Sequence, residues 1–161
     1  MNAAQLADRL SRDESFARGV SAWKVRPARE PRYGEWPDRL APALRDALER
    51  RGIRQPYTHQ AEAIGRVLEG DDVCIVTGTA SGKTLCYNVP VVQAILDDPQ
   101  ARALYLFPTK ALAQDQLDEL YSLIKVAQAD IKTFTYDGDT ATSARRAVRQ
   151  AGHIVITNPD M

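Results

Sequence analysis

The chain has 161 residues, 44% of them hydrophobic and 26% charged, with 21 basic and 21 acidic side chains that cancel. That length suits one domain of ordinary size with a real core, and the composition excludes a disordered or low-complexity polypeptide. No apolar run approaches the roughly 20 residues of a transmembrane helix, and the first residues lack the apolar stretch of a signal peptide.

These features predict a cytoplasmic chain with no membrane partner. Its two cysteines, Cys74 and Cys86, have no zinc-ligand spacing and read as small core hydrophobes in a reducing compartment. The neutral total hides an asymmetry: residues 1–55 hold twelve Lys and Arg against eight Asp and Glu, and residues 56–161 hold nine against thirteen. A basic leading segment of this strength reads as a solvated face, and charge alone does not point to nucleic acid.

Residues 2–18 predict a short polar helix with Leu6 and Leu10 on one face, and residues 19–37, with both tryptophans and Pro27, Pro31 and Pro37, predict an extended wrapping segment. Asp38 is the expected cap of a helix that places Leu40, Leu44 and Leu48 on one face and stops at Gly52. Thr58 is the expected cap of a second helix, buried through Ala61, Ile64 and Leu68 and stopped at Gly70.

Val73-Cys74-Ile75-Val76 then reads as a buried strand. It runs into Thr77-Gly78-Thr79-Ala80-Ser81-Gly82-Lys83-Thr84, and a helical pattern through Leu85, Val89, Val92 and Leu96, with Pro90 inside it, begins at once. Strand, small-residue loop and helix start is the geometry of a phosphate cradle, because successive backbone N–H groups and the helix N-terminus point at a polyphosphate. Lys83 is placed to reach the β- and γ-phosphates of ATP and the Thr84 hydroxyl to ligate Mg²⁺, which makes both candidate catalytic residues. Thr77 stands where the strict pattern has glycine, and a small β-branched residue can still close that turn.

A strand–helix rhythm follows. Residues 102–107 read as a strand, and Leu112, Leu117, Leu120, Tyr121 and Ile124 as the stripe of a helix. A strand over 131–136, a helix over 140–150 closed by Gly152, and a strand over 154–157 complete the chain. Alternation of this kind predicts an α/β fold with a parallel sheet flanked by helices.

Phe107-Pro108-Thr109-Lys110-Ala111-Leu112-Ala113-Gln114-Asp115-Gln116, at the end of a strand, resembles motif Ia of superfamily 2 helicases, the DEAD/DEAH-box class. Tyr57-Thr58-His59-Gln60 resembles the Q motif of that class, Tyr136-Asp137-Gly138-Asp139-Thr140 its glycine-containing turn, and Thr157-Asn158-Pro159-Asp160-Met161 its motif Ib. The order and spacing agree over residues 53–161, which implies a partial RecA-like P-loop NTPase domain preceded by a helical and wrapping segment over 1–52. Pro-Tyr-Thr-His-Gln-Ala-Glu-Ala-Ile and Gly-Thr-Ala-Ser-Gly-Lys-Thr-Leu-Cys-Tyr look like the MrfA-like (mitomycin repair factor) branch, DNA helicases with a C-terminal cysteine-rich metal domain.

The resemblance implies ATP and Mg²⁺ as cofactors, single-stranded or partly duplex nucleic acid, DNA by the branch, as partner, and DNA repair as setting. Gln60 would read an adenine edge; Pro108, Thr109, Lys110, Thr157 and Asn158 would grip one strand's backbone. Pro159 and Asp160 read as turn formers, and His59 and His153 as structural. The acidic motif, Asp-Glu-x-(Asp/His), is expected beyond Met161, so the chain reads as the N-terminal part of a longer helicase and as inactive alone. A non-catalytic nucleotide- or nucleic-acid-binding fragment is the alternative. A small kinase is disfavoured, since some seventy residues precede the strand that leads into the loop and Pro108–Gln116 has no role in one.

Overall fold

The computed structural model describes residues 2–24 and 30–159. Pro27, Asp160 and Met161, which figure in the readings above, lie outside them.

The chain divides into two compact units at Pro31 and Arg32. The first holds α1 (Ala3–Arg12) and α2 (Glu14–Ala17). Asn2 opens α1: its side chain accepts from Gln5 N at 2.9 Å while Gln5 Oε1 accepts from Asn2 N at 3.0 Å, so two orphan donors are met reciprocally. Neither helix buries a residue, as a face with only Leu6 and Leu10 would dictate.

The second unit carries α3 (Pro42–Arg50), α4 (Thr58–Glu69), α5 (Lys83–Asp97), β1 (Ala103–Leu106), α6 (Lys110–Val126), β2 (Thr133–Thr135), α7 (Thr142–Ala151) and β3 (Ile154–Thr157). The three strands form one parallel sheet in the order β1-β3-β2, with Tyr105 beside Ile156 and Phe134 beside Val155. This is the expected α/β arrangement. Leu44 and Leu48 of α3, Ile64 of α4, Val89 and Val92 of α5, Leu120 and Leu123 of α6 and Ile154 and Ile156 of β3 are all buried in one core. Trp36, buried within the wrapping segment, donates from Nε1 to the Arg54 carbonyl at 3.0 Å.

Several boundaries differ from expectation. Helix α3 begins at Pro42, with Ala41 rather than Asp38 in the cap position. Proline is preorganised for that first position, and the Ala41 N–H is met across the core by Gln93 Oε1 at 2.6 Å. Thr58 is the first residue of α4, preceded by Tyr57 as cap. In α6 the buried face runs through Leu117, Leu120, Leu123 and Ile124, while Leu112 and Tyr121 are exposed. Helix α7 starts at Thr142 because the Thr140 hydroxyl is held in the preceding turn, accepting from Asp137 N at 2.9 Å.

The largest departure is Val73–Val76. These residues join no strand among the described residues, and Val76 is 90% exposed. Cys74 is consequently exposed, not a core residue; Cys86, on α5, is buried as expected. An apolar β-branched run is a strand only if a neighbour meets its backbone groups. The same lack marks β1, whose single neighbour is β3 and whose Leu104 and Leu106 face outward. No helix among the described residues is long and apolar enough to cross a membrane.

Candidate nucleotide and nucleic-acid site

The loop after Val76 folds around its own lysine. Lys83 Nζ donates to the Gly78 carbonyl at 2.9 Å, the Thr77 carbonyl at 3.1 Å and hydroxyl at 3.2 Å, and Ser81 Oγ at 3.4 Å. Thr77 Oγ1 and Ser81 Oγ are 2.6 Å apart and close the turn. That contact is what a threonine gains at the position where the strict motif has glycine. Ala80 and Gly82 both take positive φ, 58° and 73°, which turns the chain into α5 at Lys83. Thr79 and Ala80 are exposed at the tip.

Helix α4 braces this loop from outside. Gln60, 3% exposed, accepts from Tyr57 N with Oε1 at 2.8 Å and donates from Nε2 to the Gly82 carbonyl at 2.8 Å. An amide has two donor hydrogens and two acceptor lone pairs, so one of each remains. His59 Nε2 lies 3.0 Å from the Ser81 carbonyl, a structural contact of the kind anticipated for it. His153 Nδ1 likewise accepts from Lys132 N at 3.0 Å.

A feature that motif reading passed over is an aromatic ladder beside the loop. Tyr33 stacks on Tyr57 with ring centroids 5.4 Å apart, and Tyr57 on His59 at 5.9 Å. Both tyrosines are exposed, and Tyr33 bridges to Tyr57 through an isolated antiparallel backbone pair. Its only sequence signal was an aromatic residue in a proline-rich stretch.

The second cluster forms where β1 and β3 end. Thr109 caps α6, its hydroxyl accepting from Leu112 N at 3.3 Å. Thr109 and Lys110 share a cleft of about 350 Å³ with Thr157 and Asn158, so the two predicted backbone-gripping segments converge. Pro108 is exposed in the turn before Thr109. Thr157 Oγ1 is buried there and has no hydrogen-bond partner among the described residues.

Lys110 is not an idle cation. Its ammonium lies 2.5 Å from Asp139 and 3.6 Å from Asp137, both in the Tyr136–Thr140 turn. The Asp139 hydrogen bond raises the Lys110 pKa above the usual lysine value, and the same contact lowers that of Asp139.

A profile of the DEAD/DEAH box helicase family matches residues 57–161. The chain belongs to the DEAD/DEAH box helicase family. Among members, it is 54% identical over 142 residues to YprA, an uncharacterized ATP-dependent helicase of Bacillus subtilis (strain 168), covering 88% of this chain and 19% of that protein. It is 36% identical over 162 residues to the ATP-dependent helicase hrq1 of Schizosaccharomyces pombe (strain 972 / ATCC 24843), covering 98% and 15%. The crystal structure of the DUF1998 helicase MrfA bound to DNA and AMPPNP superposes on the whole chain with a TM-score of 0.87 at 49% identity, and 22% of that chain is covered. The chain thus spans about a fifth or less of the length of these family members.

The residues present fit a magnesium–nucleotide complex. Among the described residues no three His, Cys, Asp and Glu side chains gather to hold a metal alone. Mg²⁺ commonly binds through phosphates, waters and one or two protein oxygens, and the first turn of α5 carries the Thr84 hydroxyl.

Proposed function

We propose that this chain is the ATP- and strand-binding part of an ATP-dependent DNA helicase acting in DNA repair, with residues 53–161 forming the partial ATP-binding domain. Lys83 carries the reading. An ammonium ringed by four loop oxygens marks the point where the loop concentrates positive charge, and these contacts can be exchanged for phosphate oxygens. The MrfA complex with DNA and AMPPNP supports the same assignment.

In this reading the backbone N–H groups of Gly78 through Thr84 and the N-terminus of α5 receive the phosphates. Lys83 turns to the β- and γ-phosphates, and Thr84 offers its hydroxyl oxygen to Mg²⁺. Gln60 presents its remaining donor and acceptor to the adenine edge, and the exposed Tyr33–Tyr57 stack offers the base a π-face. Pro108 shapes the turn that aims Thr109; Thr109, Lys110, Thr157 and Asn158 receive strand phosphates in the shared cleft. Bound Mg²⁺-ATP supplies the phosphoanhydride whose hydrolysis is coupled to movement along the strand. The free thiols of Cys74 and Cys86 support a cytoplasmic setting.

ATP hydrolysis is proposed for the full-length protein, since these residues span only a minor part of the relatives they match. In the full-length protein, phosphate release should rise when single-stranded DNA is added. No phosphate release with or without nucleic acid would favour the alternative of a non-catalytic nucleotide- or nucleic-acid-binding fragment.

A further inference from the structure

Two hydroxyls on one face of α5 converge on a single side chain of α6. Thr84 Oγ1 donates to Gln116 Oε1 at 3.0 Å, and the Tyr87 hydroxyl donates to the same oxygen at 2.5 Å. Thr84 and Tyr87 are three positions apart, one turn along the helix, so both reach one point. Tyr87 is itself held: its ring meets Tyr105 edge-on at 5.4 Å and Phe107 at 6.5 Å. The acceptor is therefore clamped by a packed phenol while it receives the threonine proton.

The consequence concerns the direction in which the Thr84 hydroxyl faces. A hydroxyl has one proton and two lone pairs. With the proton committed to Gln116, the lone pairs are turned away from α6 and are available to a hard cation. Without an acceptor there, the hydroxyl rotates freely and its proton competes for the phosphate oxygens. We infer that Gln116 is a positioning residue: through this hydrogen bond it orients the Thr84 hydroxyl for the Mg²⁺ of the bound nucleotide. The inference rests on the Thr84 reading above. It also ties the nucleotide helix to α6, whose first turn carries Lys110 and is capped by Thr109.

The test is nucleotide affinity, with and without Mg²⁺, read with a fluorescent ATP analogue on the full-length protein. Wild type, Thr84→Ala, Gln116→Leu, the near-isosteric Gln116→Met and the acceptor-retaining Gln116→Glu are compared. Gln116→Leu and Gln116→Met should reduce the Mg²⁺ enhancement of affinity about three- to tenfold, the size of one neutral hydrogen bond. Their Mg²⁺-free affinity should stay at the wild-type value, and Gln116→Glu should keep the enhancement. In a Thr84→Ala background Gln116→Leu should have no further effect. A wild-type enhancement in both Gln116→Leu and Gln116→Met, or an equal loss with and without Mg²⁺, would overturn the inference and leave the Thr84 reading standing. A wild-type enhancement in Thr84→Ala would overturn the Thr84 reading and the inference with it.

Discussion

The side-chain amide of Gln60 reaches across 22 positions of sequence to the Gly82 carbonyl, donating from Nε2 at 2.8 Å. Helix α4 thereby grips the residue that precedes Lys83. The grip needs glycine there for two reasons: Gly82 has φ of +73°, and a Cβ on it would lie 2.5 Å from Gln60 Nε2.

Gly82→Ala should therefore lose nucleotide binding as well as stability. The left-handed backbone alone costs a residue with a Cβ about 1–2 kcal/mol, and Gln60 must leave its place. Gly70→Ala is the matched control, since Gly70 has φ of +96° with nothing within 4 Å of a Cβ. Thermal melts should fall for both variants, whereas ATP affinity should fall only for Gly82→Ala. A Gly82→Ala protein with wild-type ATP affinity would contradict the bracing role.

Binding to single strands should be independent of sequence and weakly salt-dependent, with a log–log slope on the order of −1 to −2, because few cations line the cleft. Lys110 is held by Asp139, which strand phosphates must displace. Asp139→Asn should then tighten binding, and Lys110→Ala should weaken it uniformly across sequences and reduce the slope by about 1. Fluorescence anisotropy over a salt series measures both. A steep slope in Lys110→Ala, or a clear base preference, would show that the grip lies elsewhere.

Tyr105 gives the fold a pH limit. Its hydroxyl donates to Asn88 Oδ1 at 2.9 Å inside the core, and burial pushes its pKa up from the usual phenol value near 10. The folded state thus keeps the proton that the unfolded chain gives up. Stability is full below about pH 10 and falls as pH rises beyond it, since the unfolded state then binds fewer protons. Tyr105→Phe should flatten that fall, while leaving Asn88 Oδ1 buried without its partner at a cost of about 1–3 kcal/mol. Denaturant unfolding at several alkaline pH values checks both effects. An unchanged alkaline slope in Tyr105→Phe would contradict this account.

Much of the fold was legible because its signals are local. Lys83–Thr84 after an apolar run placed the loop and α5, Ile154–Thr157 was bounded as a strand, and the alternation from Arg102 onward gave a parallel sheet. Val73–Val76 was misread because strand formation is not local: the apolar pattern states a preference, and pairing partners decide whether it is met. The caps at Ala41 and Tyr57 were missed for a similar reason. The Ala41 N–H is satisfied by Gln93, 52 positions away, and no periodicity announces such a bond. In the candidate site, motif spacing named Gln60, Lys83, Thr109 and Thr157. It held Gln116 within the motif Ia stretch without a role, and it could not name Tyr33 or the Lys110–Asp139 pair; those depend on how α5, α6 and the turn before α7 pack.

If the loop ending in Lys83 holds the phosphates of ATP, calorimetric titration of Mg²⁺-ATP should separate wild type from Lys83→Ala. Loss of a charge-assisted contact of this type is worth roughly 1.5–3 kcal/mol. Part of that is offset in the wild type, because Lys83 must first leave the Thr77 and Gly78 oxygens it holds. Wild type should bind, and Lys83→Ala should bind about tenfold or more weakly. Equal affinity of the two proteins would contradict the phosphate-holding role of the loop.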